Sequence, residues 1–144
     1  MPITQAMATS FKVGILTSTF NFGTGTSQVF KIALYTAAAN LDSTTTAYTT
    51  SNEVTGTGYV AGGNTLVVSQ VPTSTGTTAF LDFADSTWAS ATITARGALI
   101  YLANGTTNPA VCVLDFGSDK TSTNGSFTVI FPAADSSNAI IRIA

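Results

Sequence analysis

The sequence has very little charge and no histidine. Only 8% of its 144 residues are charged and the formal net charge is −2, whereas roughly a quarter of the residues in soluble proteins are charged. Without histidine, a serine or threonine nucleophile has no imidazole to activate it, and the Gly-x-Ser-x-Gly turn of many hydrolases does not occur. These absences argue against an enzyme, and we predict no catalytic residue.

Clusters of basic residues and of cysteines are also lacking. The five basic residues stand singly along the chain: Lys12, Lys31, Arg96, Lys120 and Arg142. Nucleic-acid binding normally requires a basic stripe, so it is not expected.

The single Cys112 excludes an internal disulfide and a cysteine-clustered metal site, and its apolar neighbours predict a buried, inert thiol. No run of carboxylates has EF-hand spacing, so neither a metal nor a cofactor is predicted.

Long hydrophobic runs are absent as well. Although 44% of the residues are hydrophobic, no segment approaches the roughly 20 apolar residues that span a bilayer. Residues 1–10 lack the basic start and apolar centre of a secretion signal. We therefore expect no membrane association, and a protein that folds in the cytoplasm where it is made.

Short segments of alternating or continuous apolar residues replace these missing features, and no helical period is convincing. The candidate strands cover residues 11–17, 28–35, 65–71, 78–83, 91–102, 110–116, 126–131 and 138–143. Pro72 is expected to end the third. Asn104-Gly105 and Asn124-Gly125 predict two antiparallel hairpins, because this dipeptide tolerates positive φ.

Eight short strands with polar turns predict an all-β fold, a jelly-roll-like antiparallel β-sandwich of about eight strands. An up-and-down barrel is the alternative. The length predicts one domain, assigned to residues 11–144, after an N-terminal arm formed by residues 1–10. The arm is expected to be available for pairing with a neighbouring subunit.

The connection over residues 36–63 is long for a compact domain, and we expect it to contact a partner. Arg96 and Arg142 lie in otherwise apolar segments, where an unpaired buried charge is costly. Each is therefore predicted to reach solvent or an aspartate.

Two pairs of carboxylates were considered as the acid and base of a glycoside hydrolase: Asp82 with Asp85, and Asp115 with Asp119. Their spacing has almost no specificity. Outward positions on half-exposed strands and aspartates in turns explain them as well, and we favour that structural interpretation.

Five segments together resemble a known class of small structural proteins. They are FKIALY at residues 30–35, TAYTT at 46–50, EVTGTGY at 53–59, TARGA at 94–98 and LDFGSDK at 114–120. In their order along the chain they are similar to the capsid cement, or decoration, proteins of tailed bacteriophages, which sit on shells of the HK97-type major capsid protein. The resemblance implies a jelly-roll-like domain, present in many copies on the virion surface, that binds the major capsid protein and holds neighbouring capsomers together.

Within this hypothesis we expect self-association as a dimer or trimer, synthesis in the host cytoplasm, and no nucleic-acid or membrane partner. The predicted partner-contact residues are Tyr48, Glu53, Tyr59, Trp88 and Lys120. One alternative is another phage component, such as a head fibre, a tail tube or baseplate part, or a receptor-binding domain. The other is a carbohydrate-binding module that would use the aromatic residues.

Overall fold

Two antiparallel sheets and one short helix form the fold. A computed structural model describes residues 2–144. In chain order the elements are β1 (Ala6–Met7), α1 (Thr9–Leu16), β2 (Phe30–Tyr35), β3 (Asn64–Thr65), β4 (Val68–Thr75), β5 (Thr78–Phe83), β6 (Ser86–Leu102), β7 (Ala110–Val129) and β8 (Ile141–Ile143). The larger sheet has the order β1-β7-β6-β2-β3 and the smaller one β4-β5-β8. The predicted antiparallel β-sandwich of about eight strands is confirmed.

The hairpin of β6 and β7 is the longest element of the fold. Its strands contain 17 and 20 residues and pair from Ser86 opposite Val129 to Tyr101 opposite Ala110. The turn contains Asn104 and Gly105, as predicted, and the Asn104 side chain accepts a hydrogen bond from the Thr106 amide at 3.0 Å. Because β2 pairs with the second half of β6, β6 is central where the sheet is most buried.

The prediction of a second hairpin at Asn124-Gly125 is wrong. Gly125 pairs with Ala91 inside the β6–β7 ladder, so the segments predicted over residues 110–116 and 126–131 belong to one strand. Asn124 has a φ of 47°, and the register of β6 and β7 shifts beside it. A β-bulge needs the same backbone freedom as a tight turn, and Asn-Gly satisfies both.

Pro72 does not end its strand, because β4 continues to Thr75. β4 lies at the edge of the smaller sheet, where a residue without an amide hydrogen is tolerated. The register of β4 and β5 is irregular between Gln70 and Thr73, which brackets the proline.

The strand predicted over residues 11–17 is wrong, since this segment forms α1. Phe11 and Gly14, three residues apart, are buried, while Val13 is 57% and Leu16 is 86% exposed. A Cβ on Gly14 would lie 2.3 Å from the Phe20 ring, so the glycine lets the following chain pack against the helix. Tertiary packing therefore overrides the local alternation of apolar residues.

No helix of the described residues is long and apolar enough to cross a membrane.

The arm predicted over residues 1–10 is part of the domain from residue 3 onward. Ile3 and Ala8 are buried, and Ile3 forms a parallel bridge to Leu41. Ala6 and Met7 form β1 and pair with β7. The small apolar side chains of this segment gain more from burial against the protein's own sheet than from exposure.

Phenylalanine rings fill the space between the sheets. Phe22 stacks on Phe30 with ring centroids 4.2 Å apart, and Phe83 contacts both Phe22 and Phe131 at about 6 Å. Each buried ring contributes about 1.5–3 kcal/mol to folding. Cys112 is buried beside this core, as predicted, and burial raises the pKa of its thiol to about 12.

Gly63 should be far more sensitive to substitution than Gly25, a glycine of the same backbone conformation. Its φ is +77°, and an added Cβ would lie 1.8 Å from the carbonyl oxygen of Ile32 in β2. Gly25 has a φ of +76° with nothing within 4 Å of such a Cβ. We expect Gly63→Ala to lower the free energy of unfolding by more than about 3 kcal/mol, and Gly25→Ala by about 1–2 kcal/mol. Urea denaturation of both variants measures this; equal losses would contradict the close packing of the connection on β2.

Candidate interaction surface

A buried carboxylate organises the long connection between β2 and β3. The Glu53 side chain is 8% exposed and accepts three hydrogen bonds. The Tyr48 hydroxyl donates at 2.7 Å, the Tyr59 hydroxyl at 2.6 Å and the Gly62 amide at 2.7 Å. We call Glu53 with these three donors the glutamate clasp. Three donors compensate for removing a carboxylate from water.

The glutamate clasp is attached to the larger sheet by further tyrosine contacts. The Tyr59 hydroxyl accepts a hydrogen bond from the Leu34 amide at 2.9 Å. The Tyr101 hydroxyl, from β6, donates to the Gly62 carbonyl at 2.7 Å, and the Tyr101 ring stacks on that of Tyr48. The connection is therefore an ordered part of the domain that covers β2 and β6.

Burial raises the pKa of all four tyrosines, and the Glu53 carboxylate raises each of them further. The pKa of Tyr101 rises to about 12. Desolvation is again the largest cause for Tyr35, Tyr48 and Tyr59, and the last two also donate hydrogen bonds to Glu53 that favour the neutral phenol. The tyrosine hydroxyls are thus held in their protonated form.

The five predicted contact residues differ in how much surface they offer. Glu53 and Trp88 are buried, at 8% and 3% exposure, and they have little surface for a partner. Tyr48 and Tyr59 are half-buried, with hydroxyls already used by Glu53. Lys120 is exposed on β7. Contact of these residues with a partner stays a prediction, and the geometry gives four of them a role in the domain itself.

Every acidic side chain accepts a hydrogen bond from within the domain. Asp42, Asp82, Asp85, Asp115 and Asp135 each accept a hydrogen bond from a backbone amide. Asp119 pairs with the Arg96 guanidinium at 2.9 Å, which confirms the predicted aspartate partner of that arginine, and Arg142 reaches solvent as predicted. Asp82 is buried rather than outward-facing, and desolvation raises its pKa. With Glu53, these account for all seven carboxylates.

The outer face of the β6–β7 hairpin carries a row of threonines. We call it the hydroxyl face; its exposed side chains are Thr87, Thr92 and Thr94 of β6 and Thr121, Thr123 and Thr128 of β7. Thr87 bonds to Thr128 across the strands at 3.0 Å, and Thr94 bonds to Thr121 at 2.9 Å. In a shallow hollow of about 320 Å³ on this face, every lining residue except Ile93 carries a hydroxyl. The composition indicates a surface rich in hydroxyls, but the location of this face depends on the bulged register, which sets which residues point outward.

The outer edge of β7 is unpaired over most of its length. β1 covers only Cys112 and Val113, and beyond residue 114 no strand of the described chain pairs with this edge. Gly117 and Asn124, both at positive φ, interrupt it. The side chain of Ile130, just past the strand, is 75% exposed. A long unpaired edge offers backbone donors and acceptors to another strand.

Comparison with known proteins adds no relative. No protein-family model, no curated protein and no solved structure matches the chain.

Removing the central carboxylate of the clasp should destabilise the protein strongly. Glu53→Ala leaves the buried Gly62 amide and two half-buried tyrosine hydroxyls without this acceptor, and we expect a loss of about 3 kcal/mol or more in the free energy of unfolding. Asp119→Ala, which breaks only the exposed pair with Arg96, should cost less than about 1 kcal/mol. Equal losses in urea denaturation would show that Glu53 does not hold the connection in place.

Alkaline pH should unfold the protein through its tyrosines. Because the folded state raises all four tyrosine pKa values above their ordinary value, the unfolded chain releases these protons first. The stability is then complete below about pH 10 and falls as the pH rises toward about 12. Denaturant titrations with parallel readings of tyrosinate absorbance should show ionisation and unfolding together. Tyr59→Phe should flatten the pH dependence, and a stability that stays constant across this range would contradict the burial of the hydroxyls.

Proposed function

We propose that this protein is a structural component of a bacteriophage particle. As a capsid decoration protein, it binds the outer surface of an HK97-type shell and stabilises contacts between capsomers. The observation that carries this proposal is the hydroxyl face, a large, nearly uncharged surface on the most extended element of the fold.

The hydroxyl face has the physical properties that suit a permanent protein contact. Threonine side chains are stiff at χ1, and the bonds of Thr87 with Thr128 and of Thr94 with Thr121 hold them before any partner arrives. Ordering the face on binding therefore costs little conformational entropy. Since its main ion pair, Arg96 with Asp119, lies at one end of the face, few charges need to be desolvated.

Self-association would strengthen attachment to a symmetric lattice. Several weak contacts, held in one oligomer, act together through effective concentration. The unpaired edge of β7 supports such self-association, because an edge strand pairs readily with a copy of itself around a two-fold axis. The partners in this proposal are the major capsid protein and further copies of this chain.

The contacts of the carboxylates and aromatic rings favour this role over carbohydrate recognition. The aromatic side chains considered for sugar stacking are buried, as for Trp88 and Tyr101, or are engaged by Glu53, as for Tyr48 and Tyr59. In the two carboxylate pairs, Asp82, Asp85 and Asp115 each accept a hydrogen bond from a backbone amide, and Asp119 pairs with Arg96. These side chains therefore stabilise the fold. This supports a protein that binds its partner through its outer surface.

Co-sedimentation with shells tests the proposal. The chain should sediment with assembled shells of the phage that encodes it and not bind unassembled major capsid subunits. Thr94→Glu combined with Thr128→Glu places charge on the hydroxyl face and should weaken binding at least about tenfold, or about 1.4 kcal/mol.

The matched control for this experiment is Thr73→Glu, an exposed threonine on edge strand β4 of the smaller sheet, which should bind like the wild type. Failure of the wild-type chain to bind shells would contradict the proposal. Equal weakening by the control would remove the hydroxyl face as the site of contact.

A further inference from the structure

The free edge of β8 borders a continuous groove. β8 pairs with β5 on one side only, and no strand of the described chain pairs with its other edge. Three adjoining cavities of about 510, 540 and 430 Å³ border β8, and the first also extends across the smaller sheet to Val71 and Pro72 of β4. The first two share Ile15 and Ile143, and the second and third share Met7 and Arg142. We call this continuous space the β8 groove.

The β8 groove is apolar over most of its length and remains open to solvent. α1 contributes Phe11 and Ile15 to one wall, and the smaller sheet contributes Leu81 and Ile141 to the other. At the rim, Leu16 is 86% exposed and lines the middle cavity with Ile143, which is 46% exposed. An exposed patch of this kind, with an apolar trough beside it, marks a binding surface.

Backbone groups of two strands flank the groove. Besides β8, the groove is lined by Ala6 and Met7 of β1, which pairs with β7 on its other side only. The free edges of β8 and β1 therefore carry backbone amides and carbonyls that no other strand of residues 2–144 uses. An extended segment fits this arrangement, because it can bond to a strand edge while alternate side chains enter the apolar trough.

The charge at the groove indicates the chemistry of the occupant. Lys12 and Arg142, two of the chain's five basic residues, line the middle cavity, and no acidic side chain lines any of the three. Asp135, whose charge acts on that of Arg142, is held by the amides of Ser137 and Asn138. A carboxylate on the occupant would meet two cations in the middle cavity, which no acidic side chain lines.

We propose that the β8 groove binds an extended segment of a partner protein by adding a strand to β8. The segment has apolar side chains at alternate positions and an acidic side chain that lies beside Lys12 and Arg142. This binding site is separate from the hydroxyl face and does not depend on the shell assignment, since it follows from the isolated chain.

Peptide selection on the purified full chain tests the inference. Random peptides of about a dozen residues, displayed on a carrier, are selected against the immobilised protein, and an enriched peptide is synthesised with a fluorescent label for anisotropy. We expect enriched sequences with alternating apolar residues and at least one carboxylate. Hydrogen exchange should slow at residues 140–144 and 5–7 when the peptide binds, which contact of side chains alone would not cause.

Matched variants locate the binding site. Leu16→Asp removes an apolar contact and adds a repelling charge, and it should weaken peptide binding about tenfold or more. Arg142→Glu should weaken it severalfold. Val60→Asp is the control, because Val60 is 78% exposed and lines none of the three cavities, and it should bind like the wild type.

Three results would overturn the inference. The first is no enrichment of any peptide, and the second is equal binding by the Leu16→Asp and Val60→Asp variants. The third comes from analytical ultracentrifugation: self-association of the wild type that Leu16→Asp alone abolishes would assign the groove to a second copy of this chain.

Discussion

The buried carboxylate of Glu53 is the interaction on which the arrangement of the long connection depends. A connection of this length has no regular structure of its own to hold it, and its polar backbone must be satisfied where it covers the sheet. Glu53 draws two tyrosine hydroxyls and one backbone amide to a single point. The same tyrosines reach Leu34 of β2 and stack on Tyr101 of β6, so one charge fixes the connection to two strands.

That arrangement leaves the β6–β7 hairpin with two different faces. Its inner face is closed by the connection and by aromatic packing around Trp88 and Phe127. Its outer face is left to threonines bonded in cross-strand pairs. Since Arg96 and Asp119 pair with each other at one end of the outer face, and its other side chains are mainly threonines, this face stays nearly neutral. The low charge of the sequence is thus the physical basis of the proposed contact with a lattice.

Much of the fold could be predicted from short-range patterns. Apolar residues at alternate positions predicted the strand seen as β2. The apolar residues before Ala84 predicted β5, and Asn104-Gly105 predicted the turn between β6 and β7. The wrong predictions came from sequence patterns that are compatible with two different local structures. Phe11, Val13 and Ile15 alternate as in a strand, but they form a helix in which Gly14 leaves room for the Phe20 ring. Asn124-Gly125 satisfies a bulge as readily as a turn.

The surfaces were harder to predict than the fold. A glutamate in a polar loop is normally exposed, and only the tyrosines on both sides of Glu53 hinted at donors for a buried carboxylate. The hydroxyl face depends on cross-strand register, which a single sequence does not fix once bulges intervene. The β8 groove joins segments from both ends of the chain, and it exists only in the folded protein.

The proposed role requires many copies of this chain on each shell. Its copy number in purified virions, measured by quantitative mass spectrometry against the major capsid protein, is the most direct test. We expect a ratio between one-to-one and one copy per few capsid subunits. A few copies per particle, or complete absence from the particle, would contradict it.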